Sequence, residues 1–281
     1  MLPYTLLDVF TDTPLAGNPL AVVLDADGVD EDVMLRFARE TRLAETTFVQ
    51  TATADGASYR NRIWTVTEEL PFAGHPSLGT AVAVALQRGD TEVTYVQQTP
   101  AGLQPIAVRR DGERATASVL QEPAVFGREL DPATVMAAVG LEAADAHPAL
   151  PPQLVSTGLL TLLAPLRDES ALARVRADRE AIERLEDDSF NCYLVWTDPA
   201  AGRARARMFP SPPAEAEDAA TGSAAGPLLA YLHQREGLER LDVIQGVEML
   251  RPSRLRAELE DGRVRVSGDV VVLITGSIRL P

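Results

Sequence analysis

The chain has 281 residues, of which 46% are hydrophobic and 24% charged, and it carries a formal net charge of −15. This composition is typical of a folded globular protein, and the length suits one large domain or two of ordinary size. The negative charge opposes binding to nucleic acid and to an anionic membrane surface. We therefore expect neither partner, and any anionic ligand requires a locally positive pocket.

All 26 basic residues are arginines, because the sequence contains no lysine. A pyridoxal-phosphate Schiff base, a Walker phosphate loop and an S-x-x-K acyl transferase each need a lysine, so all three are excluded. The one cysteine, Cys192, cannot form an internal disulfide, and the N-terminal segment lacks the pattern of a signal peptide. We expect a cytoplasmic protein.

The predicted elements follow the hydrophobic period and the turn residues. In the first half the sequence predicts strands over 4–10 and 19–24, a helix over 30–43, strands over 45–51 and 58–66, a helix over 77–88, and strands over 92–98, 103–110 and 114–120. In the second half it predicts a helix over 131–140, two short strands within 153–164, a helix over 168–186, strands over 190–197 and 203–209, a helix over 223–236, and strands over 241–249 and 263–275.

The two halves share one pattern of strands, a loop rich in Gly and Pro, and an apolar helix. The helical segments read SLGTAVAVAL from residue 77 and SAAGPLLAYL from residue 223. A helix without a polar face must be buried on all sides, so strands should surround it. The sequence predicts an α+β fold of two pseudo-symmetric lobes, each with a sheet wrapped around a central helix. Their predicted bounds are 1–120 and 121–269, with 270–281 returning to the first lobe as an alternative.

The starts of these two helices are candidates for binding an anion. Gly74-His75 and Gly222-Ser223 each combine exposed backbone N–H groups with a glycine that permits close approach. A helix N-terminus carries a partial positive charge, so two that converge could hold a carboxylate without any lysine. The alternative is that the glycines only serve turns and that Ser77 and Ser223 are ordinary caps. We expect a small carboxylate substrate.

Three further side chains near these loops carry acid/base chemistry: Glu45, His75 and Asp218. Glu45 opens a strand that continues Thr-Thr-Phe-Val, and desolvation there would raise its pKa toward the range of a general base. The alternatives are a solvated glutamate, a histidine satisfied within its loop, and an aspartate that complements the helix dipole. Glu45 is predicted to be the acid/base.

Other constellations fit the sequence less well. Ser223, His75 and Asp218 could form a hydrolase triad, but the G-x-S-x-G context of a nucleophile elbow is missing. His75, His147 and His233 are scattered without ligand spacing, so no metal site is expected. A G-x-G-x-x-G motif after a strand is also missing, so nucleotide cofactors lack support.

Six segments resemble the PhzF family of phenazine-biosynthesis isomerases, and they occur in the family's order across nearly the whole chain. They are DVFTDTPLAGNPLAVVLDAD (8–27), AETTFV (44–49), ELPFAGHPSLGTA (69–81), RMFPSP (207–212), EDAATGSAAGPL (217–228) and IQGVEMLRPS (244–253). The resemblance implies the diaminopimelate-epimerase-like fold, an active site between two lobes, a homodimer, and a reaction that uses neither a metal nor an organic cofactor.

The resemblance also assigns residues. It implies that Glu45 is the acid/base, that His75, Asp218 and Ser223 are further active-site groups, and that Gly74 and Gly222 shape the carboxylate pocket. Related amino-acid epimerases use two cysteines as paired bases, whereas this chain has one. A single carboxylate that removes a proton and returns it elsewhere therefore suits an isomerase better.

In the phenazine enzyme the substrate is trans-2,3-dihydro-3-hydroxyanthranilate, and the glutamate moves a proton from C3 toward C1 to give an enol that becomes a ketone. Two positions depart from the family pattern. Ala44 stands where a serine usually precedes the glutamate, and Val66 ends a Trp-Thr-Val in place of Phe-Thr-Pro. An isomerase or epimerase of another small carboxylate, a hydrolase that uses Ser223, and a non-catalytic carboxylate-binding protein stay open as alternatives.

Overall fold

The structure is a computed structural model that describes residues 1–186, 190–210 and 217–281. The chain forms two compact units, residues 1–120 with 267–281, and residues 121–266. In these described ranges there is no helix with the length and apolar character needed to cross a membrane.

The first unit is built from eight long strands, one short strand and two helices. They are β1 (Leu2–Val9), β2 (Asn18–Val23), α1 (Glu31–Thr41), β3 (Thr46–Gln50), β4 (Tyr59–Trp64), β5 (Glu69–Leu70), α2 (Gly74–Arg88), β6 (Glu92–Thr99), β7 (Gly102–Asp111), β8 (Arg114–Leu120) and the greater part of the last strand, Arg263–Ile278.

The second unit has a similar content of strands and helices. It contains β9 (Val125–Glu129), α3 (Pro132–Ala138), β10 (Gln153–Ser156), β11 (Leu160–Pro165), α4 (Ser170–Arg174), α5 (Arg179–Glu183), β12 (Asn191–Asp198), β13 (Arg203–Pro210), α6 (Gly222–Glu236), β14 (Arg240–Gln245), β15 (Ser253–Glu260) and the beginning of β16 (Arg263–Ile278).

The strands of the first unit close into a barrel around α2. Their order is β1-β2-β3-β4-β6-β7-β8-β16, and β16 pairs back to β1. The pairs β2–β3 and β4–β6 are parallel. Every residue of α2 from His75 to Ala85 is buried, as its lack of a polar face predicts.

Gly79 sets how closely α2 approaches the barrel wall. A Cβ at this position would lie 2.6 Å from Leu20 Cδ2, 2.8 Å from Leu7 Cδ1 and 2.9 Å from Val9 Cγ2. All three side chains are fully buried, so they have little room to move. Only glycine lets the helix pack at this distance.

Gly79→Ala is expected to lower the free energy of unfolding by about 1–2 kcal/mol. The added methyl group overpacks the core at a cost of up to about 3 kcal/mol, which outweighs the gain of about 1 kcal/mol from the higher helix propensity of alanine. Denaturant unfolding measures the change. Gly28→Ala is the control, since a Cβ there meets nothing within 4 Å, and it should stay within about 0.5 kcal/mol of wild type. A Gly79→Ala protein as stable as wild type would contradict this packing argument.

The second unit repeats this topology around α6. The order is β9-β10-β11-β12-β13-β14-β15-β16, and β11–β12 and β13–β14 are its parallel pairs. In each unit the central helix connects the two strands of one parallel pair: α2 lies between β4 and β6, and α6 lies between β13 and β14. Like α2, α6 is buried, from Gly222 to Leu232. The predicted α+β fold of two pseudo-symmetric lobes with central helices is confirmed.

The single helix predicted over 168–186 is wrong, because the segment forms two short helices, α4 and α5. Val175 ends α4 with a non-helical backbone, φ −54° and ψ 131°. The chain then bonds to the end of α3, with Arg176 N–H donating to Val139 O at 2.9 Å and Asp178 N–H to Ala138 O at 3.0 Å. This break lets Leu172, Val175 and Ile182 all enter one apolar cluster.

The strand predicted over 241–249 ends at Gln245, because Gly246 turns the chain with a positive φ of 76°. The sequence does not predict strands β5, β9 and β15. In β15 the buried positions alternate with charged ones such as Arg254 and Glu258, which obscures the apolar signal.

Candidate active site

Glu45 lies immediately before β3, at the edge of the barrel of the first unit. The next residues, Thr46, Thr47 and Phe48, are fully buried. The Thr46 and Thr41 hydroxyl oxygens lie 2.8 Å apart, which joins the start of β3 to the end of α1. The Thr47 and Thr80 hydroxyls are also 2.8 Å apart, which joins β3 to α2. The backbone that carries Glu45 is therefore held by two elements.

His75 is the second residue of α2, and its ring faces Glu45. The side chain is 5% exposed, and Nδ1 lies 3.1 Å from Asn18 Nδ2. An amide NH₂ group can only donate, so Nδ1 accepts and the ring proton sits on Nε2. Nε2 is 3.4 Å from Oε2 of Glu45, whose side chain is 17% exposed. A fixed N–H group thus points toward the carboxylate.

The His75 ring is neutral. Burial lowers its pKa from 6.5 to about 3, since an imidazolium would lose its hydration. The contact with Glu45 is therefore an N–H group facing a carboxylate, and its 3.4 Å length is greater than that of an ordinary hydrogen bond. A neutral His75 can donate a hydrogen bond but does not serve as the proton source at neutral pH.

This neutral histidine makes stability depend on pH. Unfolded histidine has a pKa near 6.5, so acid protonates the unfolded chain before the folded one, whose His75 has a pKa of about 3. The stabilising contribution is complete above about pH 6.5 and is lost as the pH falls toward 3, at up to about 1.4 kcal/mol per pH unit.

The test compares wild type with His75→Gln, in which this titration is missing while the other ionisable groups are retained. The measured quantity is the difference between the free energies of unfolding of wild type and of the variant. This difference should become about 2 kcal/mol less favourable to wild type as the pH is lowered from 6.5 to 5. Denaturant unfolding at the two pH values measures it. A difference that does not change with pH would show that folded His75 titrates normally.

The first turn of α2 is anchored by buried polar groups. The N-cap is Ala73, whose side chain has no acceptor for the first N–H groups. Ser77 does not cap the helix, contrary to the alternative interpretation: its Oγ donates to Ala73 O at 2.7 Å. It also accepts from Gln97 Nε2 at 2.7 Å, and Gln97 Oε1 accepts from Asn61 at 3.1 Å.

In the second unit, Asp218 lies just before α6. Its N–H donates to Met208 O at 3.1 Å, and its Oδ2 accepts from the Thr221 hydroxyl at 2.6 Å. Gly222 and Ser223 are the first two residues of α6, which are the positions that Gly74 and His75 occupy in α2. The Ser223 hydroxyl lies 3.5 Å from Asn191 Nδ2.

A largely buried ion pair holds Glu217, the residue that precedes Asp218. Arg207 Nε and Nη2 bind the two oxygens of Glu217 at 2.8 and 2.7 Å, with side chains 11% and 13% exposed. Arg207 Nη1 also donates to Leu172 O at 2.8 Å. The bidentate geometry fixes both side chains, so Asp218 is flanked by Glu217 on one side and by α6 on the other.

The structure thus brings Glu45 and His75 together in the first unit and places Asp218 just before the N-cap of α6 in the second. The sequence between the strand predicted over 203–209 and the helix predicted over 223–236 is expected to form a loop, and its residues 211–216 lie outside the described residues. Sequence reasoning gave no role to Asn18, Thr221 or Gln245, which hold these groups in place. All three belong to segments that carry the family resemblance, and each is a polar residue among apolar neighbours. A polar residue in that setting is the sequence feature that could have marked them as part of the site.

A family model described as phenazine biosynthesis-like protein matches residues 7–276. The chain belongs to the PhzF family. A relative from Pseudomonas aeruginosa named trans-2,3-dihydro-3-hydroxyanthranilate isomerase is 37% identical, and the alignment covers 94% of this chain and 92% of the relative. This member of the PhzF family is accordingly an isomerase.

Two solved structures share the fold of this PhzF-family chain. A predicted epimerase from Pseudomonas aeruginosa is 36% identical, with a TM-score of 0.84 and 99% of each chain covered. A probable proline racemase from Agrobacterium radiobacter K84 is 15% identical, with a TM-score of 0.64, 100% of this chain and 94% of the other covered. The second likeness concerns the fold alone, and together they confirm the diaminopimelate-epimerase-like fold.

Proposed function

We propose that this PhzF-family isomerase moves one proton on a small cyclic carboxylate, without a cofactor, and that Glu45 is the acid/base. The observation that carries the proposal is the Glu45 carboxylate held 3.4 Å from the Nε2–H of a buried, neutral His75. The name of the relative from Pseudomonas aeruginosa supports trans-2,3-dihydro-3-hydroxyanthranilate, or a close analogue in phenazine or related secondary metabolism, as the substrate.

The reaction needs one base that later acts as an acid. The ionised Glu45 removes the proton from C3, the double bonds shift through the ring, and the protonated Glu45 returns the proton at C1. The resulting enol becomes a ketone when its hydroxyl proton is lost and a ring carbon gains one. Every atom of the substrate is kept, so the step needs neither an oxidant nor a reductant.

Cys192 does not supply a cysteine base of the kind that two-cysteine epimerases use. The thiol is fully buried in β12, and burial raises its pKa to about 12. A protonated thiol is a poor base at neutral pH. The proposal therefore assigns the chemistry to a carboxylate, Glu45, which lies 3.4 Å from Nε2 of the buried His75.

The other predicted residues bind and orient the substrate in this proposal. The first N–H groups of α2, at Gly74 and His75, bind the substrate carboxylate with the help of the helix dipole. Gly222 and Ser223 donate in the same way, and Asp218 accepts a hydrogen bond from an amino or hydroxyl group of the substrate.

We also propose a cytoplasmic homodimer, for which sedimentation of the purified protein measures the oligomeric state.

Incubation with trans-2,3-dihydro-3-hydroxyanthranilate in deuterated buffer tests the function. We expect part of the isomerised product to carry deuterium at C1, detected by NMR, because the protonated Glu45 exchanges with solvent in some turnovers before it returns the proton. Binding without any carbon–deuterium bond would favour a carboxylate-binding protein. Failure to bind this compound would direct the search to other cyclic carboxylates.

A further inference from the structure

Gln245, the last residue of β14, is completely buried and uses all the hydrogen-bonding capacity of its side chain. Oε1 accepts from the Tyr193 hydroxyl at 3.0 Å and from Thr221 N–H at 3.2 Å. Nε2 donates to Asp218 O at 2.8 Å and to Thr221 Oγ1 at 2.9 Å. An amide offers two acceptor sites and two donors, so this arrangement fixes the orientation of Gln245.

The fixed amide determines where the Thr221 hydroxyl points. This hydroxyl has one proton and already accepts from Gln245 Nε2, so the proton is directed to Asp218 Oδ2, 2.6 Å away. Thr221 is the N-cap of α6, but its side chain makes no capping bond to the helix. A threonine at an N-cap ordinarily accepts from the first-turn N–H groups. Here its hydroxyl serves Asp218 instead.

Gln245 and Thr221 together hold Asp218 at two points. Gln245 binds the main-chain carbonyl of Asp218, and Thr221 binds one oxygen of its carboxylate. A bond to an ionised acceptor is shorter and stronger than one between neutral groups. Rotation of the carboxylate is therefore restricted, and the direction in which Asp218 presents its oxygens is set by this network.

We propose that Thr221 and Gln245 are positioning residues that orient the Asp218 carboxylate for the reaction. The proposal deepens the proposed function and rests on it, because Asp218 must act in the isomerisation for its orientation to matter. Neither residue is assigned contact with the substrate. Their effect on turnover passes through Asp218.

The test compares Thr221→Val and Thr221→Ala, which remove the hydroxyl, with Thr221→Ser, which keeps it. We expect the first two to lower kcat about 10- to 100-fold with KM changed less than about threefold, the size of effect that loss of a charge-assisted hydrogen bond gives. Thr221→Ser should keep kcat within about threefold of wild type. Thermal unfolding of each variant shows that the native fold persists, and Thr221→Ala serves if valine is too large for the site.

A double-variant cycle separates positioning from a general structural role. If Thr221 acts through Asp218, Asp218→Asn combined with Thr221→Ala should lose little more kcat than Asp218→Asn alone. Multiplicative losses, or equal losses in Thr221→Ser and Thr221→Ala, would overturn the inference. Wild-type kcat in Asp218→Asn would instead overturn the role of Asp218 in the proposed function, so the two failures are distinguishable.

Discussion

Glu45→Gln is expected to lower kcat about 10²- to 10⁴-fold, which is the usual contribution of a general acid/base. Glutamine keeps the size and polarity of glutamate but cannot take up or release the proton. The neighbouring Thr46 and Thr47 hydroxyls keep their partners, so the fold should persist. Steady-state kinetics on trans-2,3-dihydro-3-hydroxyanthranilate measures the loss.

Glu40→Gln is the matched control for this result. Glu40 is exposed near the end of α1, so the same chemical change should leave kcat within about twofold, as for surface substitutions in general. Unfolding transitions of both variants should match that of wild type. A Glu45→Gln protein with full turnover would assign the base to another group.

Arg207→Met is expected to lower the free energy of unfolding by about 3 kcal/mol, the lower end of the range for a fully buried pair, because it leaves the largely buried carboxylate of Glu217 without its partner. The combined variant Arg207→Met with Glu217→Leu should recover most of this loss, since a buried ion pair can be exchanged for apolar side chains at little net cost. Denaturant unfolding of the single and combined variants gives both values.

A second arginine of β13 provides the control. Arg203 pairs with Asp198 at 3.2 Å, with side chains 60% and 30% exposed. An exposed pair of this kind contributes about 0–1 kcal/mol, so Arg203→Met should have a small effect. If Arg207→Met costs no more than Arg203→Met, then Glu217 does not depend on Arg207 for its place beside Asp218.

The sequence predicts the centre of the fold because the two central helices have no polar face. Burial on all sides follows from that pattern, and α2 and α6 are buried as expected. The start of α2 is less well predicted: the helix begins at Gly74, three residues before the expected position. Pro76 is the third residue of this helix, and it fits there because a proline needs no N–H partner in the first turn.

Only part of the candidate site can be predicted from the sequence. Glu45 can be proposed from sequence, since it is a carboxylate at the start of a strand predicted to be buried, and the structure places it beside His75. Asn18 cannot be assigned to His75 in this way, because the two residues are 57 positions apart. Gln245 and Thr221 are separated by 24 positions. Hydrogen bonds between such distant residues depend on the tertiary fold, which hydrophobic periodicity does not describe.

The most direct test of a single-carboxylate shuttle is the fate of a label placed on the proton that moves. Substrate that carries deuterium at C3 is converted in light water under single-turnover conditions, and the C1 position of the product is examined by NMR. The single-carboxylate shuttle predicts deuterium at C1 in part of the product, because Glu45 both removes and returns the proton. Product with only protium at C1 would contradict it and indicate a separate proton donor.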